Sequence, residues 1–257
     1  MIAAEPRTGT LLDVRDLSMR FANGFQALRD VSLSMRPGEL VVVLGSNGCG
    51  KSTLLRCMAR LLTPTSGTIR IGDEDFSRLS GEALRRARCT VAFVSQQANL
   101  VRRRSVLANV ATGTLGRHSS FASALGFLPT AELSFAHEQL CIVGLGDRAP
   151  QRAGTLSGGQ AQRVAIGRAL AQRPRVLLAD EPVASLDPDA AIDVLTLLRK
   201  LANEGLGIVC VLHQPELALR FADRIVGIRA GEIAFDAHIS AVSTASIATL
   251  YAGSTAA

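Results

Sequence analysis

Along the first forty residues apolar and polar positions alternate; further on, the apolar positions fuse into unbroken runs. LLDVRDLSMRF and VSLSM alternate as half-buried strands do, and Arg36-Pro37-Gly38-Glu39 after the second reads as a turn. LVVVL, residues 40–44, is continuously apolar, the pattern of a strand covered on both faces. A helix is predicted from Lys51 to about Leu62, stopped by the Pro64/Gly67 turn region. TIRIG predicts a short strand, GEALRRARC a helix, and TVAFVSQQ (90–97) a second buried strand. From Ser105 to Gly146 the pattern is helical with Gly and Pro breaks, as in an inserted helical subdomain. RVLLAD (175–180) and GIVCVLH (207–213) are strands separated by a helix at about 189–203, and RIVGIRAGEIAFDA reads as a hairpin around Arg229 to Glu232. Repeated strand–helix units with buried strands predict an α/β fold with a mostly parallel sheet, and the leading strands predict an added antiparallel sheet. No repeat of 20–50 residues is visible, which excludes a solenoid.

Composition narrows the classes. The 257 residues are 47% hydrophobic and 19% charged, which fits a globular chain rather than a disordered one. Five cysteines (49, 57, 89, 141, 210) form no C-x-x-C pair, so reduced thiols are expected. The start, MIAAEPRTGTLLDVRD, has no basic stretch followed by an apolar run, so no secretory signal is expected. The best candidate span, Ala237 to Ala257, is broken by seven Ser and Thr residues and is rejected. The net charge of +6 could face an acidic surface, but Arg102-Arg103-Arg104 reads as a solvated loop. Aromatic residues are not interleaved with the arginines, so no nucleic-acid partner is expected.

The chemistry begins after residue 44. Gly45-Ser46-Asn47-Gly48-Cys49-Gly50-Lys51-Ser52 has the phosphate-loop spacing in the required context, after a buried strand and before a helix. Its glycines let backbone N–H groups turn inward around phosphate, and the helix N-terminus adds partial positive charge. Lys51 is placed to reach the outer phosphates and Ser52 to offer a hydroxyl to Mg²⁺; Thr53 closes the nucleotide-binding stretch, and Cys49 fills a free position. Asp180 ends a strand at the edge where ligands bind in such sheets, so it is the candidate metal partner. Glu181 is then placed to orient or deprotonate an attacking water. In Leu156-Ser157-Gly158-Gly159-Gln160, Ser157 is an N-cap and the glycines leave backbone donors exposed; a second anion site and a plain capped helix both fit.

Taken in order, a phosphate loop, a Gln after a buried strand, LSGGQ, LLADEP, Ser-Leu-Asp and a strand-ending His resemble the ABC ATPase family over nearly the whole chain. The resemblance implies a single phosphate-loop ATPase domain over 1–257. Residues of about 1–96 and 173–257 would form the catalytic core with its β subdomain, and about 97–172 the helical, signature-bearing subdomain. It implies ATP and Mg²⁺ as ligands, Gln96 as the glutamine that touches metal and water, Asp187 as the residue communicating across a dimer, and His213 as the γ-phosphate contact. Phe21 would stack on adenine. Ser157, Gly158, Gly159 and Gln160 would cap ATP held by a second copy, so a homodimer is implied.

SQQANLVRRRSVLANVATGTLGR, FASALGFLPTAE, LADEPVASLDP and LHQPELALRFADRIVGIRAGEIAFDA resemble the ATPase subunit of phosphonate importers, with phosphate, phosphite or another small solute as alternatives. That implies integral membrane permease subunits as partners, an indirect periplasmic solute-binding protein, and a peripheral place on the cytoplasmic face of the inner membrane. Ser95 and Ala98 depart from the aromatic residues expected beside Gln96, at the expected docking surface. Soluble ABC proteins of translation or repair carry second cassettes or long insertions that this chain lacks.

Overall fold

In the computed structural model, which describes residues 9–117 and 128–251, the unbroken apolar runs become the middle of a six-stranded sheet. Strands β3 (Leu40–Leu44), β6 (Val91–Val94), β7 (Val176–Asp180), β8 (Gly207–Val211), β9 (Arg224–Arg229) and β10 (Glu232–His238) lie in the order β10-β9-β3-β8-β7-β6. All neighbours are parallel except β10, which pairs antiparallel with β9. Every residue of β3, β7 and β8 is buried, because both faces of the sheet are covered.

Side-chain alternation divides those strands between two cores. Leu40, Val42 and Leu44 join Leu177, Ala179, Ile208 and Cys210 in one cluster. It is closed by helices α3 (Val106–Ala111), α4 (Thr130–Ile142), α5 (Gly158–Leu170), α6 (Pro188–Asn203) and α7 (Pro215–Phe221). Val41 and Val43 join Val176, Leu178, Val209 and Val211 in the other, under α1 (Lys51–Met58) and a four-stranded antiparallel sheet. That sheet has the order β2-β1-β4-β5, from β1 (Leu12–Arg20), β2 (Gln26–Met35), β4 (Ser66–Ile71) and β5 (Glu74–Asp75). Helix α2 (Gly81–Arg88) follows it, and α8 (Thr244–Tyr251) closes the described chain. The α/β architecture with an added antiparallel sheet is therefore the observed one.

Two boundaries differ from the periodicity. The predicted helix from Lys51 to about Leu62 ends at Met58, because Arg60 turns left-handed (φ 52°). Arg60 N–H then donates to Cys57 O at 2.9 Å and Leu61 N–H to Arg56 O at 2.8 Å, a Schellman closure. The predicted strand 90–97 stops at Val94 and forms the sheet edge, which leaves Gln96 in a loop. Part of the quoted FASALGFLPTAE stretch, and the end of the rejected span, lie outside the described residues. Among the described residues no helix is long and apolar enough to cross a membrane. The five cysteines are free thiols, and burial pushes Cys57 up to about 11.

Asn109, on α3 and 1% exposed, fastens the loop that follows the sheet edge. Its Oδ1 accepts from Val101 N–H at 2.7 Å, and its Nδ2 donates to the carbonyls of Ser105 (2.9 Å) and Val101 (3.2 Å). Asn109→Ala strands these backbone groups, so a loss of about 1–3 kcal/mol is expected in denaturant unfolding; an unchanged midpoint would show that the loop finds other partners.

Candidate active site

The phosphate loop leaves β3 where backbone crowding forbids side chains. A Cβ on Gly45 would lie 2.3 Å from Ile228 O, and one on Gly50, at φ 112°, 2.6 Å from Ala27 O. The β9–β10 turn braces the loop from outside, as Gly231 N–H donates to Cys49 O at 3.0 Å. Ser46 is half-buried, Asn47 and Gly48 are exposed, and Cys49 is buried with its thiol pKa raised chiefly by desolvation. Gly50 caps α1 without a side-chain hydrogen bond, and the first turn carries no acidic residue. The positive helix end is thus left for an external anion.

Lys51 is 5% exposed and its Nζ donates to Gly45 O (2.8 Å) and Ser46 O (2.9 Å). It lies folded over the loop on neutral carbonyls, which an anionic phosphate oxygen would outcompete as a partner. One residue on, Ser52 Oγ donates to Asp180 Oδ1 at 2.8 Å, joining the start of α1 to the end of β7. Thr53 beside it is half-buried. Asp180 is 6% exposed. Burial raises its carboxyl pKa, while the Ser52 hydroxyl and then Arg56 oppose that shift.

Glu181 leaves β7 in the left-handed region, φ 52°, a strained setting for a residue with a Cβ. That turn sets its Oε1 2.6 Å from His213 Nε2. The pairing of Asp180 with Val211 puts the ends of β7 and β8 side by side and makes this contact possible. A cleft of about 240 Å³ is lined by Ser52 and Arg56, by Ser95, Gln96, Gln97 and Asn99, and by Asp180 and Glu181. Gln96 and Gln97 both reach it, so the geometry alone does not separate them. Arg56 was not singled out from the sequence, although it stands one turn after Ser52 on α1 and therefore on the same face.

The remaining candidates stand apart from this cleft. Ser157 caps α5 in a capping box, accepting from Gln160 N–H at 3.3 Å while Gln160 Oε1 accepts from Ser157 N–H at 3.1 Å. Gly158 packs toward Leu186 and Gly159 toward Ala190 on α6. Asp187 is exposed and caps α6 through Ala190 N–H at 2.9 Å. Phe21 is half-buried against the second core and stacks with Phe25, ring centroids 6.4 Å and planes 11° apart; Phe25 is the more exposed, at 56%. A larger cavity of about 430 Å³ on the outer sheet is lined by Asp13, Arg15 and Arg224, but Arg224 is already engaged by Asp236 and Glu39.

The donors fit Mg²⁺. A hydroxyl, a carboxylate and an amide oxygen are hard ligands, and too few to complete a shell without water and phosphate, as Mg²⁺ prefers. Among the described residues no group of three or more His, Cys, Asp or Glu side chains makes a metal cage of its own.

A family model described as ABC transporter matches residues 28–184. The chain is 47% identical over 241 residues to the phosphonates import ATP-binding protein PhnC of Thiobacillus denitrificans, covering 93% of this chain and 92% of that one. It is 47% identical over 250 residues to the phosphite import ATP-binding protein PxtA of Stutzerimonas stutzeri, covering 96% and 90%. Among solved structures it is similar to the dimeric, ADP- and Pi-bound cassette MJ0796 (TM-score 0.77, 32% identity, 89% and 98% covered). It is also similar to the ADP-bound cassette MJ1267 (TM-score 0.84, 26% identity, 96% and 100% covered).

Because the raised Asp180 pKa means that ionising this carboxyl works against folding, its penalty is absent below the unfolded value and complete above the folded one. Asp180→Asn is expected to raise Tm of the nucleotide-free protein at neutral pH, with the gain vanishing toward about pH 4. Thermal denaturation across pH checks this; a Tm below the parental value at neutral pH would contradict it.

Proposed function

This chain belongs to the ABC transporter family as an ATP-hydrolysing subunit, and we propose that its ATP turnover drives import of phosphonates or of phosphite. The observation that carries the substrate class is 47% identity over nearly the full chain to relatives named for those two solutes. The cleft is read as an ATP site, and recognition of the imported oxyanion falls to separate subunits. Integral membrane permeases are the direct partners in this reading, and a periplasmic solute-binding protein acts through them. The chain is placed at the cytoplasmic face of the inner membrane.

The loop N–H groups and Lys51 receive the phosphates of ATP, with Lys51 exchanging its two carbonyl partners for phosphate oxygens. Phe21, stacked with Phe25, offers a ring to adenine. Ser52, Asp180 and Gln96 would hold Mg²⁺, whose charge offsets that on the transferring phosphoryl oxygens. Glu181 takes a proton from the water as its oxygen bonds to the γ-phosphorus and the bond to ADP breaks. His213, 2.6 Å away, holds the Glu181 carboxylate in place and in this reading is the γ-phosphate contact. In this reading about 1–96 and 173–257 are the catalytic segments and about 97–172 the signature-bearing one.

Ser157 to Gln160 have no contact with their own chain's cleft among the described interactions, and a relative's cassette is dimeric. They are therefore assigned to the ATP of a second copy, with Asp187 at that junction.

Glu181→Gln removes the base and spares the cradle. ATP binding is expected to persist while turnover falls about 10²–10⁴-fold, measured by equilibrium binding and phosphate release; parental turnover would remove Glu181 from the role. For the solute, a strain lacking this chain should lose growth on phosphonate or phosphite as sole phosphorus source. The parental gene, but not Glu181→Gln, should restore it; unimpaired growth of the deletion strain on both would refute the assignment.

A further inference from the structure

The segment that carries Gln96 is attached to two parts of the fold. It continues β6 out of the catalytic sheet, yet its carbonyls are held by α5, the helix that starts beside Ser157. The Gln162 amide donates to Ser95 O at 3.2 Å. The Arg168 guanidinium donates to Ala98 O at 2.7 Å and to Asn99 O at 2.9 Å. Within the segment Ser95 Oγ donates to Gln97 O (2.7 Å) and accepts from Asn99 Nδ2 (3.0 Å), and Asn99 closes the turn at φ 49°. Gln96 thus stands inside a frame whose carbonyls before and after it are fastened to one helix.

These fasteners are costly to bury for packing alone. Gln162 is 3% exposed, and burial holds the Arg168 guanidinium below its usual pKa. They stand six residues apart on α5, about 1.7 turns, so their side chains leave the helix roughly 120° apart and hold the segment at two separate points, Ser95 and Ala98–Asn99.

We infer that Gln162 and Arg168 are positioning residues for ATP hydrolysis: they fix the 95–99 backbone, and so set Gln96 over the Ser52–Asp180–Glu181 cleft. The inference rests on the ATPase reading of that cleft. A group that must meet water or metal within a few tenths of an ångström loses much of its effect when its backbone is loosened.

Gln162→Met keeps the buried volume and removes the donor. In the full chain, kcat for Mg-ATP is expected to fall roughly 3- to 10-fold, with KM for ATP within about twofold of parental. Amide hydrogen exchange over 95–99 should quicken in the nucleotide-free protein. The deciding readout is a double-mutant cycle with Gln96→Ala. Because Gln162 acts through Gln96, the double variant should turn over no more slowly than Gln96→Ala alone.

A merely structural Gln162 would lower kcat by the same factor in both backgrounds, and that additivity overturns the inference, as does parental kcat or unchanged exchange in Gln162→Met. Should Gln162→Met lose thermal stability, Arg168→Met enters the same cycle. Arg168→Lys, which returns a donor, should then recover most of kcat; no recovery counts against the proposal. A parental protein that hydrolyses no ATP would refute the ATPase reading itself. Turnover in Gln96→Ala at the parental rate would remove Gln96 from the mechanism and this inference with it.

Discussion

The active cleft depends on the parallel register of three strands. Val43 pairs with Val211, and Asp180 pairs with Val211 from the other side, so β3, β8 and β7 end at one level. The chain beyond each end supplies one part: the phosphate loop after β3, His213 after β8, and Glu181 after β7. A one-residue slip of β7 would turn Asp180 toward the opposite face and break its hydrogen bond with Ser52. Two buried cores hold that register by claiming alternate residues of each strand.

Electrostatically the cleft is poised between signs. Lys51 leans on neutral carbonyls, α1 begins without a cap, and Asp180 is buried enough that its negative charge is disfavoured. An incoming Mg²⁺ and triphosphate would answer each of these, the cation relieving Asp180 and the phosphates satisfying Lys51 and the helix end. Glu181 is set apart from this neutralisation by its left-handed backbone and its contact with His213. The backbone strain at Glu181 sits at the position where proton transfer is assigned.

Much of this was legible from pattern. Buried runs such as LVVVL and RVLLAD gave the central strands because two covered faces leave no polar positions. The phosphate loop was legible because its glycines, lysine and serine answer to one geometry. What pattern hid was tertiary. Arg60 closes α1 in a left-handed turn usually signalled by glycine, so the periodicity ran four residues too far. Glu181 and His213 are 32 positions apart, and only strand pairing brings them to 2.6 Å. Arg56 reaches the cleft by helical spacing from Ser52, while Gln162 and Arg168 hold the backbone of the Gln96 segment through contacts nearly 70 positions long. Gln96 came from resemblance, and the cleft admits Gln97 as well.

In the proposed head-to-tail dimer the cleft is half of a site. Ser157 and Gln160 cap α5, and Gly158 and Gly159 meet Leu186 and Ala190, while α1 begins at Gly50 without a side-chain cap. A structure of the Glu181→Gln protein with Mg-ATP tests this most directly. Two copies head to tail are expected, each ATP lying between Lys51 of one and Ser157 of the other. An ATP held by a single chain, with Ser157 of every copy away from nucleotide, would contradict it.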